Sequence, residues 1–190
     1  MTDILHVLDH GIDTVILAYF LLLNTFYFLF NLLSLAGILR YRRLVTFVRF
    51  GEIFRMPIVK PISVIVPAFN EGHGIVESVR SLLSLRYPVF EVIVVNDGST
   101  DDTLARLTEA FGLNLSKTVF RKSLPTKPVR GIFRSALHPK LVVVDKANGK
   151  KADAMNAGLN ISRYPLFCAV DGDSALEKTA LLKVVRPFLE

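Results

Sequence analysis

The clearest indication of the fold is Val92-Ile93-Val94-Val95-Asn96-Asp97-Gly98-Ser99, an uninterrupted apolar run followed at once by polar residues. A strand whose apolar residues are continuous rather than alternating is buried on both faces, as in a parallel sheet covered by helices. The abrupt polar end marks the carboxyl end of that strand. We therefore predict a parallel α/β sheet built around this segment.

Similar apolar runs occur on both sides of it and alternate with segments of helical periodicity. The other predicted strands are residues 62–66, 141–144 and 166–170. The predicted helices are residues 72–85, 101–111, 151–161 and a last helix from Ala175 onward. Strands that alternate with helices are typical of a doubly wound sheet, in which ligands bind beyond the carboxyl ends of the strands. The polar residues at those ends are therefore the candidate site.

Two aspartates end the last predicted strand as Asp171-Gly172-Asp173. Both carboxylates can point at one hard cation, and Mg²⁺ or Mn²⁺ completes its shell with water and phosphate oxygens. A solvated turn explains the same residues without a metal. The following Ser174 and Glu177 have the spacing of a capping box, which predicts a helix N-terminus there.

Asp97 follows the predicted strand at residues 92–95, where its carboxylate could accept hydrogen bonds from a base or a ribose. Residues 99–102 suit helix capping, and for Asp97 itself both interpretations stay open. Lys146 to Lys151 opens the next helix and combines lysines with backbone N–H groups, which indicates either an anion site or a basic solvated loop. The chain has neither the glycine-lysine order of a P-loop nor a dinucleotide fingerprint.

The N-terminal region has an uncharged stretch at residues 14–39. At about 1.5 Å per residue it can cross a hydrocarbon core of roughly 30 Å. A soluble core helix rarely stays uncharged for so long, and a cleaved signal peptide would begin with basic residues, whereas Asp3, Asp9 and Asp13 come first. Arginines follow at positions 40, 42, 43, 49 and 55. The positive-inside rule then predicts an external N-terminus and a cytoplasmic remainder.

Residues 41–56 alternate arginines with apolar residues, which suits an amphipathic helix at the headgroups or a linker helix packed on the next domain. Pro57 and Pro61 end this segment. We predict a transmembrane anchor at residues 1–40, a basic interface segment at 41–60 and an α/β domain at 61–190.

Charge and cysteine usage narrow the classes of partner. The chain of 190 residues has a formal charge of +6, which suits an anionic membrane, a phosphorylated substrate or nucleic acid. The single cysteine, Cys168, excludes an internal disulfide and a multi-cysteine zinc site. The basic stretch 117–140 is either a solvated connector or a flap that faces the membrane or guides an acceptor.

The polar strand ends, in their order and spacing, resemble the motifs of family-two glycosyltransferases, including membrane-bound poly-N-acetylglucosamine, hyaluronan and cellulose synthases. The motifs are residues 63–71, 94–101, 146–158 and 171–173. The resemblance begins at about Pro61 and continues to the C-terminus. It implies a Rossmann-like GT-A domain with a parallel sheet, incomplete here and preceded by one transmembrane helix.

The resemblance also implies a nucleotide pocket. Asp97 would contact the uracil or the ribose of a UDP-sugar. The residues that would line the pocket around it are Ala68, Asn70 and Glu71.

For the diphosphate and the metal, the resemblance implies that Lys146 and Lys151 flank the nucleotide and its phosphates. Asp173 would bind Mg²⁺ or Mn²⁺, and Asp171 would complete the metal pair on the side of the ribose and the donor sugar. Lys150 stands where relatives more often have a second glycine, which raises the question of the local backbone shape.

Relatives supply the base that deprotonates the acceptor from a later acidic motif, and processive ones add a Gln-x-x-Arg-Trp motif. This chain has no tryptophan. We expect no catalytic base within it, and interpret it as the donor-site portion of an inverting glycosyltransferase of the inner or plasma membrane. Such a portion would act with a glycan or lipid acceptor, be inactive alone and expose a sheet edge. The alternative is a catalytically silent membrane protein that binds nucleotide-sugar or a synthase partner. A nucleic-acid partner is not expected, because interleaved aromatic motifs are missing.

Overall fold

The computed structural model describes residues 2–45, 60–117, 120 and 122–188, with side chains in the first range from 12 to 40. The chain divides into two units, Met1–Glu52 and Ile53–Glu190. The predicted interface segment at 41–60 lies mostly outside the described residues, so its two interpretations stay open.

The first unit contains one long helix, α1 (Thr2–Val45). Within it, Ile12–Arg40 is apolar enough to cross a membrane, with a mean hydropathy of 1.9, and its side chains are exposed. Its polar residues bond back to the preceding turn: Asn24 Nδ2 donates to the Phe20 carbonyl at 2.7 Å and Thr25 Oγ1 to the Leu21 carbonyl at 2.7 Å. The sequence prediction of one long apolar N-terminal helix is confirmed.

The second unit is an α/β sheet with flanking helices. Its strands are β1 (Ile62–Ala68), β2 (Phe90–Asn96), β3 (Leu113–Leu115), β4 (Val129–Ser135), β5 (Leu141–Lys146) and β6 (Leu166–Ala169). Its helices are α2 (Ile75–Leu83), α3 (Thr103–Phe111), α4 (Lys150–Ile161) and the short α5 (Ala180–Val184), followed by a 3₁₀ turn at Arg186–Phe188.

The strand order is β3-β4-β5-β2-β1-β6. The four strands predicted from apolar runs, β5, β2, β1 and β6, are mutually parallel, as expected. The predicted parallel sheet is confirmed, and it has an antiparallel edge that the sequence did not indicate, where β4 runs antiparallel to both β5 and β3. Strand β3 lies in the short unassigned stretch after the predicted helix 101–111, and β4 lies in the stretch 117–140 that was predicted as a connector or a flap.

Helix α4 covers one face of the sheet. Ile65 and Ile93 from the strands pack there against Ala154 and Ala157 of the helix, within one hydrophobic core cluster. Gly158 allows the close approach, because a Cβ at this position would lie 2.4 Å from Ile65 Cγ2. Alternate residues such as Val94 project to the other face and are also fully buried, which explains the continuous apolar runs.

Two predicted helix starts need correction. Helix α2 begins at Ile75 rather than Gly72, because the preceding residues form a turn in which the Gly74 N–H donates to the Glu71 carbonyl at 3.1 Å. The capping box at Ser174 is wrong as well: α5 begins at Ala180, and Glu177 instead accepts a hydrogen bond from the Thr179 hydroxyl at 2.6 Å.

Candidate functional site

The loops after β1 and β2 are joined by reciprocal hydrogen bonds. Asn70, whose φ of 57° is in the left-handed region, accepts a hydrogen bond on Oδ1 from the Thr100 N–H at 2.9 Å. Ser99 Oγ accepts one from the Asn70 N–H at 3.0 Å. Asparagine tolerates this conformation better than most residues. Asn70, predicted as a pocket residue, therefore holds the two loops together.

Asp101 adds a second link between these loops. It accepts hydrogen bonds from the Gly72 N–H and the Thr103 N–H, each at 3.0 Å. The Thr103 hydroxyl, together with these backbone groups, holds the pKa of the Asp101 carboxyl below its usual value. The predicted capping role holds for Asp101, whereas Asp102 at the N-cap position makes no side-chain cap bond.

Asp97 lies at the centre of the site, with only 3% of its surface exposed. Its carboxylate pairs with Lys146 Nζ at 2.6 Å and accepts the Gly149 N–H at 3.0 and 3.2 Å. Its own N–H donates to the Ala68 carbonyl at 2.9 Å. Asp97 is thus fixed by the ends of three strands, which gives its carboxylate one orientation.

Lys146, the last residue of β5, is fully buried. Besides Asp97, its ammonium contacts Asp153 Oδ1 at 2.5 Å and the Ala147 carbonyl at 2.6 Å, so its three donors are all in use. Burial alone would raise the pKa of Asp153, but the Lys146 ammonium and the Lys127 N–H outweigh it and hold that pKa below its usual value. Lys146 therefore lies behind Asp97 rather than in the open cleft.

The backbone is unusual at the start of α4, where the sequence left the local shape in question. Lys150 has a φ of 73°, a conformation that favours glycine. The next residue, Lys151, ion-pairs through Nζ with Asp171 Oδ1, and both side chains are more than half exposed. The helix start thus presents two lysines and brings one of them to the end of β6.

These groups surround one cleft of about 340 Å³ at the carboxyl ends of the parallel strands. Its walls come from the β1 loop, the end of β2, the start of α4 and the turn after β6. The lining residues are Pro67, Ala68, Phe69, Glu71, Asp97, Asn148, Lys150, Lys151, Ala154, Asp171, Gly172 and Asp173. Six of the predicted site residues are brought together here, while Asn70 lies exposed in the β1 loop outside the cleft and Lys146 is buried behind Asp97.

Asp171 and Asp173 are exposed, and Gly172 between them is buried against the β1 loop. Asp173 makes no hydrogen bond or ion pair with any residue that the structure describes. Within the same residues, no three His, Cys, Asp or Glu side chains converge on one point. A two-carboxylate oxygen site fits Mg²⁺ or Mn²⁺, since these ions take one or two protein carboxylates and obtain the remaining ligands from water and phosphate.

Sequence reasoning missed how the segment before β4 is attached. Asn160 Oδ1 accepts the N–H groups of Ser123 and Leu124 at 3.0 and 2.8 Å, and Asp153 accepts the Lys127 N–H at 3.0 Å. Asn160 and Asp153 are seven residues apart and therefore on the same face of α4. That spacing of short polar side chains was the available signal. The described part of this segment is fixed to the helix rather than a free connector.

A mixed sheet with its polar cleft at the carboxyl strand ends is the arrangement of GT-A glycosyltransferases. Residues 63–190 match the family model for glycosyl transferase family 2, so the chain belongs to that family.

Curated relatives agree with this assignment. The chain is 27% identical over 130 residues to the poly-beta-1,6-N-acetyl-D-glucosamine synthase of Staphylococcus epidermidis, covering 68% of this chain and 26% of that protein. It is 28% identical over 150 residues to the hyaluronan synthase of Pasteurella multocida, covering 79% of this chain and 13% of that protein. The chain thus spans about a quarter or less of the length of these two relatives.

Among solved structures, the mannosyltransferase of Pyrobaculum calidifontis in complex with GDP-Man and Mn²⁺ gives a TM-score of 0.51 at 20% identity. The match covers 83% of this chain and 42% of that one. It supports the fold.

Proposed function

We propose that the chain binds a UDP-sugar together with Mg²⁺ or Mn²⁺ in this cleft, as the donor site of a membrane-anchored inverting glycosyltransferase. The observation that carries the proposal is that Asp97, Lys151 and Asp173 line one cleft of the size of a small ligand site. They come from three separate segments of the sequence. Family membership supports the same chemistry.

Asp97 is the group for the uracil or the ribose. A carboxylate has about four lone-pair sites, and Lys146 and the Gly149 N–H use only part of them. The remaining acceptor capacity suits an N–H or O–H donor of the nucleoside. Because Lys146 orients the carboxylate before binding, little ordering is left for the complex to impose.

Lys151 and the N-terminus of α4 are the groups for the diphosphate. The Lys151 ammonium is exposed and paired with Asp171, so it can move to a phosphate without leaving a buried charge. The first turn of α4 adds backbone N–H groups and the positive end of the helix dipole.

Asp173 and Asp171 would hold the metal. When bound, the metal supplies positive charge that stabilises the departing diphosphate. Asp173 is available at once, whereas Asp171 must first release Lys151. As the donor and its ion bind, Lys151 would therefore leave Asp171 and contact the phosphates, while the ion takes the place of Lys151 at Asp171.

We assign no catalytic base among the described residues of the cleft, and infer that this chain alone binds donor without transferring sugar. The sugar would pass to a glycan or lipid acceptor at a site that the whole protein provides. A catalytically silent nucleotide-sugar-binding protein would have the same cleft. Measuring sugar transfer by the whole protein distinguishes an active enzyme from a silent binder.

Calorimetry of the full chain in detergent micelles tests the donor site. UDP is expected to bind at least about tenfold more tightly with Mn²⁺ than without it, a difference of about 1.4 kcal/mol. Asp173→Asn should remove the metal effect and Asp97→Ala should weaken binding in either condition. The matched control is Asp102→Asn, which changes an exposed aspartate outside the cleft that pairs with Arg106. Equal UDP affinity with and without metal would contradict the proposal.

We also propose that α1 spans the inner or plasma membrane, with the N-terminus outside and the α/β domain in the cytoplasm. The apolar stretch of α1 and the arginines after it support this orientation. Cys168 is the only cysteine, so a chain with Cys168→Ser and Lys178→Cys carries a single thiol at an exposed position of the domain. A membrane-impermeant maleimide should label this thiol only after the cells are permeabilised; labelling in intact cells at the rate seen after permeabilisation would refute the orientation.

A further inference from the structure

The longest acid-free interval in the α/β domain surrounds its antiparallel edge. Between Glu109 and Asp145 the sequence has no Asp or Glu and seven Lys or Arg residues. The lysines of the donor cleft, Lys150 and Lys151, lie outside this interval, so the donor cleft does not explain the positive charge within it. The interval therefore calls for an anionic partner of its own.

A pocket of about 480 Å³ lies within this interval, between β3, β4 and the segment that precedes β4. Lys117, Lys122 and Lys127 are exposed at its rim, and no acidic residue lines it. Its floor is apolar, with Phe120 and Ile132 packed into the core cluster. Positive charge over an apolar floor suits a ligand that is both anionic and amphiphilic.

The rim has a fixed geometry. The Lys127 N–H is bonded to Asp153, and Ser123 and Leu124 are bonded to Asn160 on the same helix. Lys122 Nζ donates to the Thr126 carbonyl at 3.3 Å. Lys122 and Lys127 therefore project from a backbone segment that is held against α4.

Leu115 of β3 completes the surface. Its side chain is 70% exposed at the edge of the sheet, and it lines the same pocket as the lysines. An exposed leucine among lysines is the pattern of surfaces that insert an apolar group between lipid headgroups while the ammonium groups contact phosphates.

We propose that this basic edge, defined as Leu115, Lys117, Lys122 and Lys127, docks on the anionic phospholipid surface of the membrane. It rests on the proposed membrane attachment, because a tethered domain always has a bilayer within reach. Each lysine near an anionic bilayer contributes roughly fivefold to partitioning, so the three together favour the docked state by about a hundredfold.

Amine footprinting of the full chain in nanodiscs tests the inference. In discs that contain phosphatidylglycerol, acylation of the three rim lysines should be severalfold slower than in pure phosphatidylcholine discs, and high salt should abolish the difference. Lys178 is exposed in the loop after β6, the edge strand opposite β3, so it is the internal control and should react equally in both. Equal rates at the rim in both lipids would overturn the inference.

Two further arms separate the alternatives. Soluble glycerol phosphate that protects the rim lysines in phosphatidylcholine discs would show a free phosphoester site and overturn lipid docking. Docking should also slow amide exchange in β3 in the discs that contain phosphatidylglycerol. The combined Lys117→Gln, Lys122→Gln and Lys127→Gln variant should lose this slowing, whereas Lys178→Gln should keep it. Unchanged exchange in the triple variant would also overturn the inference. Because this variant leaves the donor cleft intact, normal UDP affinity alongside a lost footprint keeps the two proposals distinct.

Discussion

Replacing Lys146 with methionine should destabilise the α/β domain far more than replacing either of its acidic partners. Lys146 lies 2.6 Å from Asp97 and 2.5 Å from Asp153, so the cluster holds one positive and two negative charges. At an effective dielectric constant of about 20, each pair is worth about 6 kcal/mol of Coulomb attraction, and desolvation offsets most of it. Methionine fills a similar volume but leaves two carboxylates facing each other.

Breaking a buried pair in this way costs about 3–5 kcal/mol. Asp97→Asn and Asp153→Asn each leave Lys146 with one carboxylate and an amide, so we expect about 1–2 kcal/mol for either. Charge balance predicts this asymmetry, whereas a simple count of lost hydrogen bonds would predict similar costs for all three variants.

Urea titration of the full chain in micelles, read by maleimide labelling of Cys168, measures these differences. Burial raises the pKa of the Cys168 thiol, so labelling is slow until the domain unfolds. With a slope of about 2 kcal/mol per molar urea, Lys146→Met should lower the midpoint by about 2 M. Hydrogen exchange in β2 checks that labelling follows global unfolding. A shift in the Lys146→Met midpoint no larger than in Asp97→Asn would show that charge balance does not govern this cluster.

Three other predictions concern the start of α4. Lys150→Gly should raise the free energy of unfolding by about 1 kcal/mol, because it relieves the cost of a left-handed φ. Lys150→Ala keeps a Cβ and should not raise it. Equal thermal midpoints for the two variants would contradict this prediction. Lys151→Gln should change stability by less than about 1 kcal/mol, because its pair with Asp171 is exposed, yet weaken UDP binding in calorimetry; unchanged UDP affinity would remove Lys151 from the phosphate site. The pKa of Asp153 is lowered on folding, so its contribution to stability is complete above the unfolded value of about 3.9 and is lost as the pH falls through the folded value. Urea midpoints of Asp153→Asn should therefore depend less on pH in this acidic range than those of the natural chain, and parallel pH profiles would count against the assignment.

The inner strands could be predicted because burial on both faces leaves a run of apolar residues that few other structures require. Strand β4 could not, since it carries Arg130, Gly131 and Arg134 and has a register shift between Val129 and Gly131 that breaks the alternation. Strand β3 is only three residues long. Edge strands of this kind have a sequence close to that of a loop.

The carboxylates of the site could be placed from sequence because strand ends in a parallel sheet meet at one rim. The role of Lys146 could not, because a lysine at a strand end can point outward to solvent or turn inward. What turns it inward is Asp153, which reaches it only when α4 packs on the sheet. Ser174 shows the converse: its N–H bonds to the Asp171 carbonyl at 3.0 Å, so the residues that look like a cap belong to the turn after β6.

The contact between Gly158 and Ile65 lets α4 pack close to β1 at a distance from the donor cleft. Gly158 lies two turns along α4 from Lys151, about 10 Å at the rise of a helix. A larger residue at 158 would wedge the far end of the helix off β1 and tilt its front end relative to Asp171 and Asp173. The size of the residue at position 158, which does not line the cleft, would then control the spacing between the phosphate-binding and metal-binding groups. Substitutions there would change donor affinity without altering any residue of the cleft.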